Sequence, residues 1–206
     1  MFTILEKRKL STEVFRIRIE APNIARERKA GQFVIVQQGG DYAERIPLTI
    51  ADADEQEGSI TLVFQAVGEA THKLATLEIG DGIENVLGPL GKPTHIERYG
   101  KVVCVAGGVG VAPMHPIAQA MKQAGNEVKI VIGARTRDLV ILEEEMGTIA
   151  DVLIICTDDG SYGKKALVTE PLKQLCESWK PDLAVAIGPP IMMKFCTQTT
   201  RPFGVP

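Results

Sequence analysis

Paired cysteines are missing from this chain. Its four, Cys104, Cys156, Cys176 and Cys196, stand far apart with no C-x-x-C spacing, and three lie in or beside apolar runs. Iron–sulfur clusters draw their thiolates from closely spaced pairs on loops, and small secreted domains need a dense cysteine framework. The expectation is therefore buried free thiols, no disulfides and no metal held by this chain. Long apolar runs are missing too. Nowhere do about eighteen apolar residues run together, and Glu6, Lys7, Arg8 and Lys9 interrupt the N-terminus where a signal peptide would need its apolar stretch. Neither secretion nor a membrane span is expected, which points to the cytoplasm. Charge of one sign is also scarce: 23 basic against 26 acidic side chains give a formal charge of −3. No basic field awaits a nucleic acid.

What remains is ample for folding. The chain has 206 residues, 45% of them hydrophobic, enough for one large core or two small ones. The first half is a series of short β-like runs closed by Gly or Pro: FTILEKRKL, EVFRIRIEA, GQFVIVQ, RIPLTIAD, SITLVFQAV and GIENVLGPLG. Their mixed or alternating polarity suits an antiparallel barrel with one wet face. One segment, residues 71–82, reads as a short helix with Thr71 at its start and Leu74 and Leu77 inward. After Tyr99 and Gly100 the rhythm changes to nearly continuous Val/Ile runs at 101–106, 128–134, 151–156 and 183–188, alternating with amphipathic stretches near 111–124, 138–147, 164–178 and 190–199. That is the pattern of a parallel sheet covered on both faces. The expected fold class is β + α/β: an antiparallel β-barrel domain over 1–98, then an α/β domain over 99–206. The closing RPFGVP reads either as the approach to a further strand or lobe or as a frayed tail, and the α/β domain is expected to be incomplete there.

Two constellations carry chemistry. In the second half the run KVVCVA leads straight into Gly107-Gly108-Val109-Gly110-Val111-Ala112-Pro113. Glycines there let a backbone approach a pyrophosphate, and the free amides of the following helical turn favour its charge. A tight strand-to-helix turn also accounts for them. The run departs from G-x-G-x-x-G and lacks a G-K-[ST] ending, which argues against the standard Rossmann fingerprint and the triphosphate P-loop. Pro113 fits an opening helical turn. Beyond the third strand, Asp158 or Asp159 can accept ribose hydroxyls or simply cap the turn at Gly160. Gly188 repeats the logic after the fourth strand, with Met192 and Met193 behind it as core or as soft neighbours of a nicotinamide. Arg135 and Arg137 can meet a 2′-phosphate or remain solvated, so the choice between NADH and NADPH stays open.

In the first half, Arg45 beside Pro47 can clamp a pyrophosphate bidentately. Thr49, four residues on, falls on the same strand face, where its hydroxyl suits flavin N5. Gly68 and Thr71 offer backbone donors and a hydroxyl for the same phosphates. A surface arginine and an N-cap threonine are the other readings.

Taken in order, RIPLTI, VGEATHKL, VLGPLG, VAGGVGVAP, CTDDGSYGKKALVTE and AIGPPIMM resemble the ferredoxin–NADP+ reductase superfamily over essentially the whole chain. The nearest branch holds the small FAD-bearing subunits of NADH-dependent reduced ferredoxin:NADP+ oxidoreductases and sulfide dehydrogenases, and the dihydroorotate dehydrogenase electron transfer subunits. The resemblance implies FAD on Arg45, Pro47, Leu48 and Thr49, with Gly68 and Thr71 at its pyrophosphate. It places NAD(P)H along Gly107, Gly108, Gly110 and Pro113, with Asp158 and Gly160 near the ribose and Gly188 close by. Pro47 stands where many plant-type reductases have a flavin-stacking aromatic. In these relatives a later cysteine-rich lobe holds a [2Fe–2S] cluster, so a cluster is expected only in a full-length protein. The implied function is an FAD-dependent oxidoreductase: hydride passes from NAD(P)H to FAD beside Thr49, and electrons go on to a cluster or a larger flavoprotein or iron–sulfur partner, with ferredoxin reached indirectly. No acid or base is required, so His72, His95 and His115 receive no catalytic role. The alternatives are electron delivery to a dihydroorotate dehydrogenase and, in another class, a dinucleotide-binding regulatory module without turnover.

Overall fold

A computed structural model of the protein describes residues 1–40 and 42–206. The chain divides into two compact units, Met1–Thr94 and His95–Pro206.

Unit 1 contains β1 (Phe2–Lys9), β2 (Val14–Glu20), α1 (Pro22–Glu27), β3 (Phe33–Gln37), β4 (Arg45–Asp54), β5 (Ser59–Gln65), α2 (Glu69–Thr76), β6 (Gly82–Ile83) and β7 (Asn85–Leu90). Its strands form one antiparallel sheet in the order β6-β1-β2-β5-β4-β3-β7. The two end strands, β6 and β7, are separated in sequence by Glu84 alone. A single residue spans only about 3.5 Å, so the sheet must curl until its ends approach, and the expected antiparallel barrel is a curled sheet, a half-barrel. Ile4, Ile17, Ile19, Val34, Val36, Ile50, Ile60, Leu62 and Leu74 fill the inside. Each such side chain stabilises by about 1.5–3 kcal/mol relative to exposure.

One local expectation needs correction in this unit, and one element was not expected. The helix expected over 71–82 occupies Glu69–Thr76. It starts earlier because Thr71 is inside it and reaches back, its Oγ1 accepting from the amides of Val67 (3.1 Å) and Gly68 (3.0 Å) and donating to the Gly68 carbonyl (2.9 Å). It stops before the run of Ile79 and Gly80, where Asp81 closes the turn through the Glu78 amide. The short α1 was not anticipated; Pro22 opens it, and its Ile24 and Ala25 cover the core.

Unit 2 contains β8 (Lys101–Gly107), α3 (Val111–Gln123), β9 (Glu127–Ala134), α4 (Glu143–Ile149), β10 (Val152–Thr157), β11 (Lys164–Lys165), α5 (Thr169–Ser178), β12 (Leu183–Ile187) and α6 (Pro190–Thr200). The sheet is parallel, in the order β11-β10-β9-β8-β12. The interior strand β8 is apolar on both sides: Val103 and Val105 face the cluster with Leu172, Leu175 and Cys196, while Val102, Cys104 and Ala106 are buried on the other. This is the expected α/β sheet with two covered faces. The stretch 164–178, read as one helix, is a strand and a helix. Lys164 and Lys165 pair with Cys156 and Thr157, and the helix begins at Thr169. Likewise 138–147 resolves into a short 3-10 turn at Arg137–Leu139 and α4. Among the described residues, no helix is long and apolar enough to cross a membrane.

Candidate functional site

In β4 the period of two is visible in burial. Ile46, Leu48 and Ile50 turn into the barrel core, while Arg45, Pro47 and Thr49 alternate outward. Leu48 therefore presents only backbone to the outer face. Across from the outward row, β3 sets Gln37, Ile35 and Phe33, and β7 sets Asn85, Leu87 and Leu90 beyond them. The result is a three-stranded face with an apolar middle. Pro47 is exposed and Leu87 is 63% exposed, while Arg45, Gln37 and Asn85 lie at one end and Thr49 at the other. The β-strands approach closely here: a Cβ on Gly88 would lie 2.6 Å from Val34 Cγ1, and one on Gly91 2.8 Å from the Phe33 ring. No carboxylate pairs with Arg45 among the described residues, and its Nε donates to Gln37 Oε1 at 3.4 Å. An open apolar platform ending in a guanidinium and a hydroxyl suits a planar ring system carrying phosphates, which is what FAD offers.

The start of α2 belongs to the same unit. Thr71's hydroxyl, expected on a phosphate, is occupied by the Val67 and Gly68 backbone. What it leaves open are the amides of the first helical turn. Lys73, one turn on, pairs with Glu69 at 3.0 Å and holds that carboxyl below its usual range.

In unit 2 the glycines of 107–110 divide by role. A Cβ on Gly110 would lie 2.6 Å from the Ile187 carbonyl oxygen, and one on Gly107 would collide with the Met192 sulfur. Gly188 is equally closed, with Met192 Cε 2.7 Å from the added carbon. Those three positions serve the packing of β8, β12 and α6, and Met192 is partly buried against the core cluster. Gly108 is different. It has φ of +54°, and nothing lies within 4 Å of its added Cβ. The 3-10 turn Gly108–Gly110 then feeds α3, whose third residue is Pro113, where a missing N–H costs nothing. The glycine turn thus leaves an open approach to a helix start, the arrangement that receives a pyrophosphate.

The two aspartates separate as well. Asp159 Oδ1 accepts from the Ser161 amide (2.9 Å) and hydroxyl (2.7 Å), which hold its carboxyl below the usual range. Ser161 Oγ in turn accepts from the Arg137 amide at 2.8 Å. Asp159 is the turn residue. Asp158 is exposed, with no side-chain hydrogen bond among the described residues, and remains available to a ligand. Gly160, with φ of +78°, packs against Lys165. Arg137 lies over the Tyr162 ring at 5.2 Å, and Tyr162 donates to Glu143 at 2.7 Å, while Arg135 is exposed.

The four thiols do not suit an iron–sulfur cluster. All are buried and free; burial pushes Cys104 up to about 12 and Cys196 to about 11, so they stay protonated and are not offered as thiolates. No group of three or more potential metal ligands exists among the described residues.

Comparison with known proteins adds the decisive observation. Residues 104–198 match the oxidoreductase NAD-binding domain family. A protein of Thermotoga maritima named dihydroorotate dehydrogenase B (NAD(+)), electron transfer subunit homolog, is 47% identical over 98% of this chain and 71% of its own length. The chain belongs to the ferredoxin–NADP+ reductase superfamily, in the branch of these electron transfer subunits. A probable electron transfer subunit from Methanopyrus kandleri is 33% identical, over 95% of this chain and 71% of that protein. The solved NADH-dependent reduced ferredoxin-NADP oxidoreductase, described for flavin-based electron bifurcation, superposes with a TM-score of 0.94 at 44% identity, covering all of this chain and 74% of that one. The cytochrome b5 reductase domain of Ulva prolifera nitrate reductase shares the fold at a TM-score of 0.74 and 21% identity. As a member of this family the chain is a redox module that works with FAD and NAD(P)H. Sequence reasoning found the outward row of β4 but missed Gln37 and Leu87, whose place beside it is set by strand pairing across the sheet.

Proposed function

We propose that this chain is the FAD-bearing electron transfer subunit of a larger redox assembly, taking reducing equivalents from NAD(P)H and passing them to an iron–sulfur centre or a partner flavoprotein. In this reading residues 1–98 serve as the FAD-binding domain and 99–206 as the NAD(P)-binding domain. When bound, FAD supplies the exchange between hydride and single electrons that no side chain here can perform. The residues supply position. Arg45 would hold the pyrophosphate, Pro47 and the Leu48 backbone would lie along the ring system, and Thr49 would donate to N5, which makes it the catalytic residue of this chain. Thr71 fixes the turn at Gly68 so that the first amides of α2 reinforce the charge of Arg45. For the nicotinamide cofactor, Gly108 and the amides before Pro113 would take the pyrophosphate. Gly107, Gly110 and Gly188 keep that turn pressed against the sheet, and Asp158, at the Gly160 turn, would accept the ribose hydroxyls.

The observation that carries this reading is the outward row Arg45, Pro47, Thr49 on an exposed apolar face. Its test is the absorption spectrum of FAD-reconstituted protein before and after anaerobic addition of NADH or NADPH. A stoichiometric flavin band bleached by one of them is expected. Uptake of nucleotide without flavin would instead mark a dinucleotide-binding module without turnover. A dihydroorotate dehydrogenase catalytic subunit is the second partner to consider, because the Thermotoga maritima relative carries that name at 47% identity. The protein co-purifying with the native subunit separates the two.

A further inference from the structure

Gln37 closes β3 on the outward face, directly opposite Arg45 on β4 and Asn85 on β7. Yet it is only 5% exposed, on a face whose other members are half-open or exposed. A buried amide is costly unless its donors and acceptor are met. Here they are. Nε2 donates to the carbonyls of Gly40 (3.3 Å) and Ala43 (3.1 Å), and Oε1 accepts from Arg45 Nε (3.4 Å) and Asn85 Nδ2 (3.5 Å). Neighbouring bonds fasten the same corner: the Gly40 amide donates to Glu84 Oε2 at 2.8 Å and the Glu84 amide to Gln38 Oε1 at 2.9 Å.

One amide thus ties the ends of three strands together and, among the described residues, Arg45 is engaged through Nε alone, which leaves both terminal nitrogens of that exposed guanidinium to a ligand. We propose that Gln37 is a positioning residue: it holds Arg45 in the orientation that grips the FAD pyrophosphate. An unrestrained arginine loses rotamer freedom when it grips a ligand, and one already held loses less. The proposal rests on the reading of Arg45 as the FAD clamp.

The test is a double-mutant cycle on the FAD dissociation constant, measured by flavin fluorescence on titration of apoprotein. Gln37→Ala is expected to weaken FAD about tenfold, and Arg45→Ala by more. The double variant should bind no more weakly than Arg45→Ala, because Gln37 acts through Arg45. Gln37→Glu, which keeps an acceptor for Arg45 but cannot donate to Gly40 and Ala43, should recover most of the affinity. Where Gln37→Ala does not fold, Gln37→Met preserves the bulk and carries the same cycle. Additive losses in the double variant, or an unchanged Gln37 variant beside a weakened Arg45→Ala, would overturn the proposal and leave the clamp standing. An unweakened Arg45→Ala would instead remove the FAD reading beneath it.

Discussion

Two helix starts in this protein carry glycine, one in each unit, and they are built on opposite plans. At Gly107–Gly110 three of the four surrounding glycine contacts, including Gly188, are closed by neighbouring atoms, and only Gly108 faces open space. At Gly68 the backbone is extended, with φ of −124°, and an added Cβ would meet nothing nearer than Thr71 Oγ1 at 3.9 Å. In unit 2 the glycines let β8, β12 and α6 come together, and the anion approach follows from that packing. In unit 1 the side chain of Thr71 builds the turn, and glycine at 68 only leaves it uncluttered. The same residue type at the same kind of position answers to packing in one place and to local hydrogen bonding in the other.

Substitutions can break that contrast. Gly110→Ala should have the largest effect, costing about 1–3 kcal/mol of stability because the obstructing Ile187 carbonyl is backbone and cannot swing aside; thermal unfolding would read it. Gly108→Ala should cost about 1–2 kcal/mol, from the left-handed conformation alone, while retaining the fold and weakening NADH binding in a direct titration. If Gly108→Ala proved the more destabilising of the two, packing would not be what distinguishes these glycines.

Alkaline pH sharpens the same comparison, since all four cysteines lie in unit 2. Cys104, in the strand that feeds Gly107, has its thiol pushed from 9.0 up to about 12 by burial. The unfolded chain releases that proton above pH 9 and the folded chain keeps it, so stability is full below 9 and falls between 9 and 12. By pH 10 the share of this one thiol should reach about 1.4 kcal/mol, and Cys196, pushed up to about 11, adds a comparable loss. The fluorescence of Trp179, the single tryptophan, should report the loss, and Cys104→Val should remove the Cys104 share while the other buried thiols keep theirs. Thr71→Val comes next, costing about 1 kcal/mol in unit 1 through the lost turn. Gly68→Ala should be smallest, at about 0.5 kcal/mol. A Gly68→Ala variant as damaged as Gly110→Ala would show that both helix starts share one plan after all.

Much of this was legible in the residues. RIPLTI announces that Arg45 and Thr49 share a strand face, because alternation is local; that Ile46 and Leu48 turn to the core appears only in the folded sheet. The Val/Ile runs of unit 2 announce a doubly covered sheet for the same reason. What was not legible depends on which of several possible partners the folded backbone brings into reach. Lys164 and Lys165 look helical until Cys156 and Thr157 offer them a strand. Asp158 and Asp159 are indistinguishable until Ser161 takes Asp159. Gln37 looks like any polar residue ending a strand until Arg45, Asn85, Gly40 and Ala43 converge on it.

Periodicity, glycine placement and the order of the motifs were enough to determine the two sheet types, their order along the chain and the shared face of Arg45 and Thr49 on β4, since each is written in neighbours a few positions apart. Which glycines are obligatory, which aspartate is free and what steadies Arg45 were decided only by the tertiary structure, because each turns on which atoms come into contact: Ile187 and Met192 from far along the chain at Gly110 and Gly107, Ser161 two residues on at Asp159, and Gln37 on the paired strand at Arg45.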